Sequence, residues 1–91
     1  MLPIRKLLSR IRWDREFGQG FFEIGYEDRL AGGIVRVPFS EVMIEPEERE
    51  SFGVLNQEGV YRRIPFHRVR EVYRDGICIW QRPLPAEEDG A

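Results

Sequence analysis

This 91-residue chain has one cysteine, one histidine and no apolar run long enough to span a bilayer. With Cys78 alone, no internal disulfide can form, which predicts a protein of the reducing cytoplasm. Cys78 lies in the apolar run 77–80, and that setting predicts a buried thiol. With His67 alone, the paired histidine motifs of two-histidine phosphoesterases are absent. A zinc site would need carboxylates at a ligand spacing that the chain does not show. No metal, cofactor or membrane is expected.

What the chain has is charge in blocks. The net charge of −2 conceals them. Residues 1–15 set Arg5, Lys6, Arg10, Arg12 and Arg15 against Asp14. Residues 60–82 set Arg62, Arg63, Arg68, Arg70, Arg74 and Arg82 against Glu71 and Asp75. The stretch between them and the tail are acidic. Two arrangements stay open: one basic face, if the basic ends meet in space, or a bipolar surface. The length predicts a single domain over 1–83 with a modest core, burying about 60–65% of the unfolded surface. The tail 84–91, with acids and nothing to bury, is expected to be disordered.

Pro3 suits the first turn of a helix. Ile4, Leu7, Leu8 and Ile11 then repeat with the spacing of one buried helical stripe, predicting a helix over 3–12. That helix is basic and amphipathic, like a transit peptide, yet the core needs its apolar stripe. After Gly18 and Gly20 the period changes to two. Phe22, Ile24 and Tyr26 alternate with Glu23, Gly25 and Glu27, as in a half-buried strand. Gly32-Gly33 allows a reversal into a second strand over 34–37, limited by Pro38. Residues 45–51 read as a charged loop or a short helix begun by Pro46. Three strands are expected over 60–66, 69–74 and 77–82, with a two-residue turn at Asp75-Gly76 and Trp80 in the core. The fold class is α+β: a helix on a curved, mainly antiparallel sheet of about five strands, with closure into a partial barrel left open.

The functional question centres on Ile64-Pro65-Phe66-His67-Arg68-Val69-Arg70. It is echoed by Arg36-Val37-Pro38-Phe39-Ser40-Glu41-Val42, where Ser40 and Glu41 stand in the places of His67 and Arg68. Only the second copy is cationic. One reading makes His67 and Arg68 an anion clamp, since guanidinium and imidazole donors suit phosphate oxygens. The other makes His67 a corner residue and the arginines a solvated, aggregation-resistant edge. Trp13 divides between core and a stacking surface for a base. Tyr26, Asp28 and Arg29 carry a strand into its turn, where binding residues often lie.

These segments also carry a resemblance. Pro-Ile-Arg-x-Leu-Leu-x-Arg-Ile-x-Trp-Asp (3–14), Ile-Gly-Tyr-x-Asp-Arg (24–29), Val-Pro-Phe-Ser (37–40), Ile-Pro-Phe-His-Arg-Val-Arg (64–70) and Ile-Trp-x-Arg (79–82) follow in order. Together they resemble the RNA cyclic-group end recognition domain family of short archaeal and bacterial proteins. The resemblance implies binding of RNA ends, including 2′,3′-cyclic phosphate ends, and association with RNA-processing enzymes. It points to His67 and Arg68 first, then Arg29 and Tyr26, and last to Arg82 and Trp80; the residues themselves add Arg70 to the cationic stretch and Trp13 as a stacking candidate. Phe66 stands where the family pattern has leucine before the histidine.

Two alternatives come from other classes. A small metal-independent phosphodiesterase would open the cyclic phosphate, with a carboxylate as the second proton-transfer group. A protein-interaction module or homodimer would pair through an exposed strand. As an RNA binder, the chain is expected to be a monomer or weak dimer.

Overall fold

The computed structural model describes residues 3–83. The expected disordered tail lies outside the described residues. Helix α1 (Ile4–Trp13) begins after Pro3, whose extended backbone (φ −60°, ψ 142°) turns the chain into the first turn. Ile4, Leu7, Leu8 and Ile11 are buried, as their spacing predicts. Each apolar side chain buried contributes about 1.5–3 kcal/mol, so this stripe holds the helix on the core. Asp14 ends it. Its amide donates to the Arg10 carbonyl at 2.9 Å, and its Oδ1 accepts the amides of Glu16 and Phe17 at 3.1 Å each.

Among the described residues, seven strands form two antiparallel sheets, in place of the single sheet of about five strands that sequence pattern predicts. Strands β1 (Phe22–Asp28) and β2 (Gly33–Pro38) make the first hairpin. Strands β3 (Val42–Met43), β4 (Ser51–Leu55) and β5 (Tyr61–Pro65) form a separate sheet in that order. Strands β6 (Val69–Arg74) and β7 (Ile77–Gln81) extend the first sheet to the order β2-β1-β6-β7. Both sheets are open at their edges, so no barrel closes. Leu8, Ile24, Phe52, Val69 and Val72 are fully buried in one core fed by both sheets and the helix.

The chain changes sheet at two corners, and these are the two copies of the sequence echo. Pro38 (φ −70°, ψ 148°) leads into a 3-10 turn, Phe39–Glu41, and Pro65 (φ −63°, ψ 139°) leads into another, Phe66–Arg68. In each, the amide of the following valine donates back to the phenylalanine carbonyl. The first corner carries the chain from β2 to β3 and the second from β5 to β6. A proline fixed near φ −65° turns the strand out of its sheet while offering no N–H to the ladder.

Strands β3 and β4 carry weak sequence signals. β3 has two residues, and β4 contains Ser51 and Gly53, poor strand formers by composition. Gly53 is buried, and a Cβ there would overlap the Tyr61 ring. The β4–β5 loop is closed by Asn56, whose Oδ1 accepts the amides of Glu58 at 2.8 Å and Val60 at 3.0 Å. Ser51 begins β4, and residues 45–50 form a loop with a turn at Pro46-Glu47 and no helix. Arg63 ties it to β5 through Glu45 (3.1 Å), Glu48 (3.7 Å) and Ser51.

Two β-bulges break the alternation expected of the last strands. Tyr26 pairs with Val69 and Gly25 with Glu71, so Arg70 is the extra residue on β6. Trp80 pairs with Val72 and Cys78 with Tyr73, so Ile79 is the extra residue on β7. One inserted residue reverses the faces of everything beyond it. Cys78 is exposed, as are Ile77 and Ile79 beside it on this edge strand, which overturns its expected burial. Trp80 is 8% exposed and part of the core, as predicted. The turn at Asp75-Gly76 has φ of 51° and 85°, the paired positive values that its residue types suit.

Candidate functional site

The site is built on the second corner. Phe66 anchors it, 6% exposed, with its ring 5.2 Å from Phe52 and its amide donating to the Glu50 carbonyl at 2.9 Å. His67 is exposed and Arg68 half-buried, and neither side chain is engaged by another described residue. Beneath them lies Arg70, the extra residue of its bulge and only 6% exposed. Its Nη1 donates to the His67 carbonyl at 2.7 Å and its Nη2 to Glu27 at 3.1 Å.

Arg82 closes the corner from the end of β7. Its amide donates to the Arg70 carbonyl at 2.8 Å, and Nη2 reaches the Phe66 carbonyl at 3.4 Å. Its guanidinium lies 5.1 Å from the Trp80 ring centroid. Burial first, and then the neighbouring charge of Arg70, lower its pKa from the usual arginine value. Among the described residues the Nε atoms of Arg70 and Arg82 are both buried without a hydrogen-bond partner. From the other basic segment, Arg5 of α1 places its guanidinium 5.8 Å from the Phe66 ring centroid. Among the described residues, Arg5, Arg68, Arg70 and Arg82 share a single ion pair, that of Arg70 with Glu27.

The basic ends therefore meet. Further along the helix, Arg10 and Arg74 both lie over the Phe17 ring, at 4.2 and 6.0 Å. Arg74 and Phe17 are 57 positions apart, so their contact follows from the fold and not from sequence spacing.

The other predicted residues are more scattered. Arg29 is exposed on the turn after β1, beside a shallow cleft that it shares with Glu27 and Asp28. Tyr26 is 2% exposed, so its ring is core and has no free face for a base. Burial raises its pKa, with Asp28 and Glu41 adding to the rise and Arg62 opposing it. Trp13 is 69% exposed at the end of α1, with the Arg12 guanidinium 5.6 Å from its ring centroid. Sequence reasoning left out Arg5, although its position in the basic segment was a signal. Among the described residues, no group of three or more His, Cys, Asp or Glu side chains is placed to hold a metal, and no helix is long and apolar enough to cross a membrane.

The fold and corner define a small α+β domain with a concentration of guanidinium groups that, among the described residues, pairs with one carboxylate, Glu27. Within that class its family can be stated. The chain belongs to the family described as the MJ1316 RNA cyclic group end recognition domain, whose model matches residues 1–82. No curated protein and no solved structure matches it. The matched region ends on Arg82, the last cation of the corner.

Proposed function

We propose that this protein binds the terminal phosphate of an RNA, cyclic or open, at the Phe66–Arg68 corner. Arg68, His67 and the accessible edge of Arg82 hold the anion. Arg70 braces the turn from below and supplies field more than contact. Arg29, at the neighbouring turn, and Trp13, with its open ring face, meet the rest of the strand. Tyr26 supports the corner from the core.

The observation that carries this reading is the condition of Arg82. Its charge is disfavoured by burial and by Arg70, and no carboxylate is paired with it among the described residues. A bound anion relieves both costs. Hydrogen bonds to charged groups contribute about 1.5–3 kcal/mol each, so two or three suffice to hold a terminal phosphate. The echoed corner, with Ser40 and Glu41 in the equivalent places, shows that the turn itself does not require cations.

The test compares short RNAs ending in 2′,3′-cyclic phosphate, 3′-phosphate or hydroxyl, using the wild type, His67→Ala and Arg68→Ala. Tighter binding of phosphorylated ends, lost in both variants at unchanged thermal stability, supports the clamp. Equal affinity for all three ends would sink it. Opening of the cyclic end, abolished by His67→Ala, would instead mark the corner as a phosphodiesterase centre.

A further inference from the structure

A second feature lies beside the clamp. A cleft of about 460 Å³ opens between α1 and the β6–β7 hairpin, within the size range of about 300–1,000 Å³ typical of small-molecule sites. Leu7, Phe17, Ile79 and Trp80 give it apolar and aromatic walls, and Gln81 stands at its rim. Arg10 and Arg74 complete it, one from each basic segment of the sequence. Among the described residues no carboxylate lines it. Asp14 pairs with Arg10 from outside at 3.5 Å, and Arg74 Nε donates to the Gln19 carbonyl at 3.0 Å, so the two cations are placed but not neutralised within the cleft.

The bulge on β7 shapes this wall. As the extra residue, Ile79 leaves the regular ladder and joins the cleft lining. Trp80 connects the two sites: it lines the cleft, while Arg82 lies over its ring and reaches the Phe66 carbonyl. Aromatic walls with guanidinium planes are the surfaces on which unpaired bases stack, and the cations suit the phosphates that accompany them.

We propose that this cleft receives the nucleobase of the terminal nucleotide, with Arg10 and Arg74 beside its backbone phosphate. The proposal rests on the end-binding reading and adds a requirement to it: the protein recognises a nucleotide end and not a bare terminal phosphate.

The test measures binding of a short 3′-phosphorylated RNA and of the same RNA whose last residue is a stable abasic analogue. The wild type is expected to lose about tenfold in affinity for the abasic end, equivalent to about 1.4 kcal/mol. In Phe17→Ala and Arg10→Ala the penalty should shrink towards zero, while phosphorylated ends remain preferred over hydroxyl ends. Arg10 is exposed, so its variant stays informative if Phe17→Ala fails to fold. Equal binding of base-bearing and abasic ends by the wild type overturns the cleft proposal and leaves the clamp standing. Loss of phosphate preference in the wild type overturns the end-binding reading itself. An abasic penalty that persists undiminished in both variants places the base elsewhere and overturns the cleft.

Discussion

Arg70 holds the backbone of His67 from underneath, Nη1 to carbonyl oxygen at 2.7 Å, while its other terminal nitrogen grips Glu27 of β1. The only histidine of the chain therefore stands on a turn clamped to the neighbouring strand. A single bulge makes Arg70 the extra residue of β6, and it is buried alongside Val69 and Val72.

Arg70→Ala should destabilise the domain by about 2 kcal/mol, since it removes two charge-assisted hydrogen bonds and leaves the His67 carbonyl without its donor. Thermal melting would register this as a fall of about 8–16 °C for a domain of this size. Arg70→Lys should recover part of it, because one ammonium cannot reproduce the forked contact. A melting temperature unchanged in Arg70→Ala would remove its bracing role.

Arg68→Ala should leave stability within about 0.5 kcal/mol of wild type, as its side chain is not engaged by other described residues. Its effect belongs in the salt dependence of RNA binding. The log–log slope of affinity against salt is roughly −0.7 for each phosphate neutralised on a single strand. Loss of Arg68 should make the slope shallower by about that amount. An unaltered slope would place the phosphate elsewhere.

Asp28 gives a pH-dependent contribution to stability. Burial acts to raise its pKa, but the amides of Ala31 and Leu30 and the charge of Arg62 outweigh burial and hold it below the usual carboxylate value. A depressed folded pKa stabilises above the unfolded value of about 3.9, and that contribution is lost as pH falls through the folded value. Wild type should therefore melt higher than Asp28→Asn at pH 7, with the gap closing below about pH 4. A gap of constant size into strong acid would contradict the assignment.

Two glycines should respond oppositely to alanine. At Gly18 a Cβ would strike the backbone carbonyls of Ile11 and Asp14, which cannot swing aside, so Gly18→Ala should cost about 1–3 kcal/mol. At Gly33 nothing lies within 4 Å and the backbone is not left-handed, so Gly33→Ala should be neutral or stabilise by up to about 1 kcal/mol. Denaturant midpoints of the two variants would separate in opposite directions from wild type.

Much of the local structure was legible beforehand. The 3.6-residue stripe of α1, the first hairpin, the Asp75-Gly76 turn and the strands around it all follow from periodicity and turn chemistry. The echo between 36–42 and 63–69 was open to chance or to two strands ending at similar corners, and both copies are proline-led 3-10 turns. The division into two sheets was not legible. A proline-led corner reads the same whether the chain stays in its sheet or leaves it, and β4 hides behind a glycine that serves Tyr61. Nor were the bulges, because an extra residue alters which face a side chain takes without altering composition; Cys78 was misplaced because β7 lies at the sheet edge, where residues 77–79 are all exposed.

The sequence by itself determined the family, the helix, the cationic corner and the blocks of charge, since these are local patterns of residue type along one strand or turn. Tertiary structure alone decided which arginines are buried, that Arg5 and Arg82 converge on the same turn, and that Arg10 and Arg74 share a cleft. Those relations arise from sheet register and from helix packing, and both join residues that the chain keeps far apart.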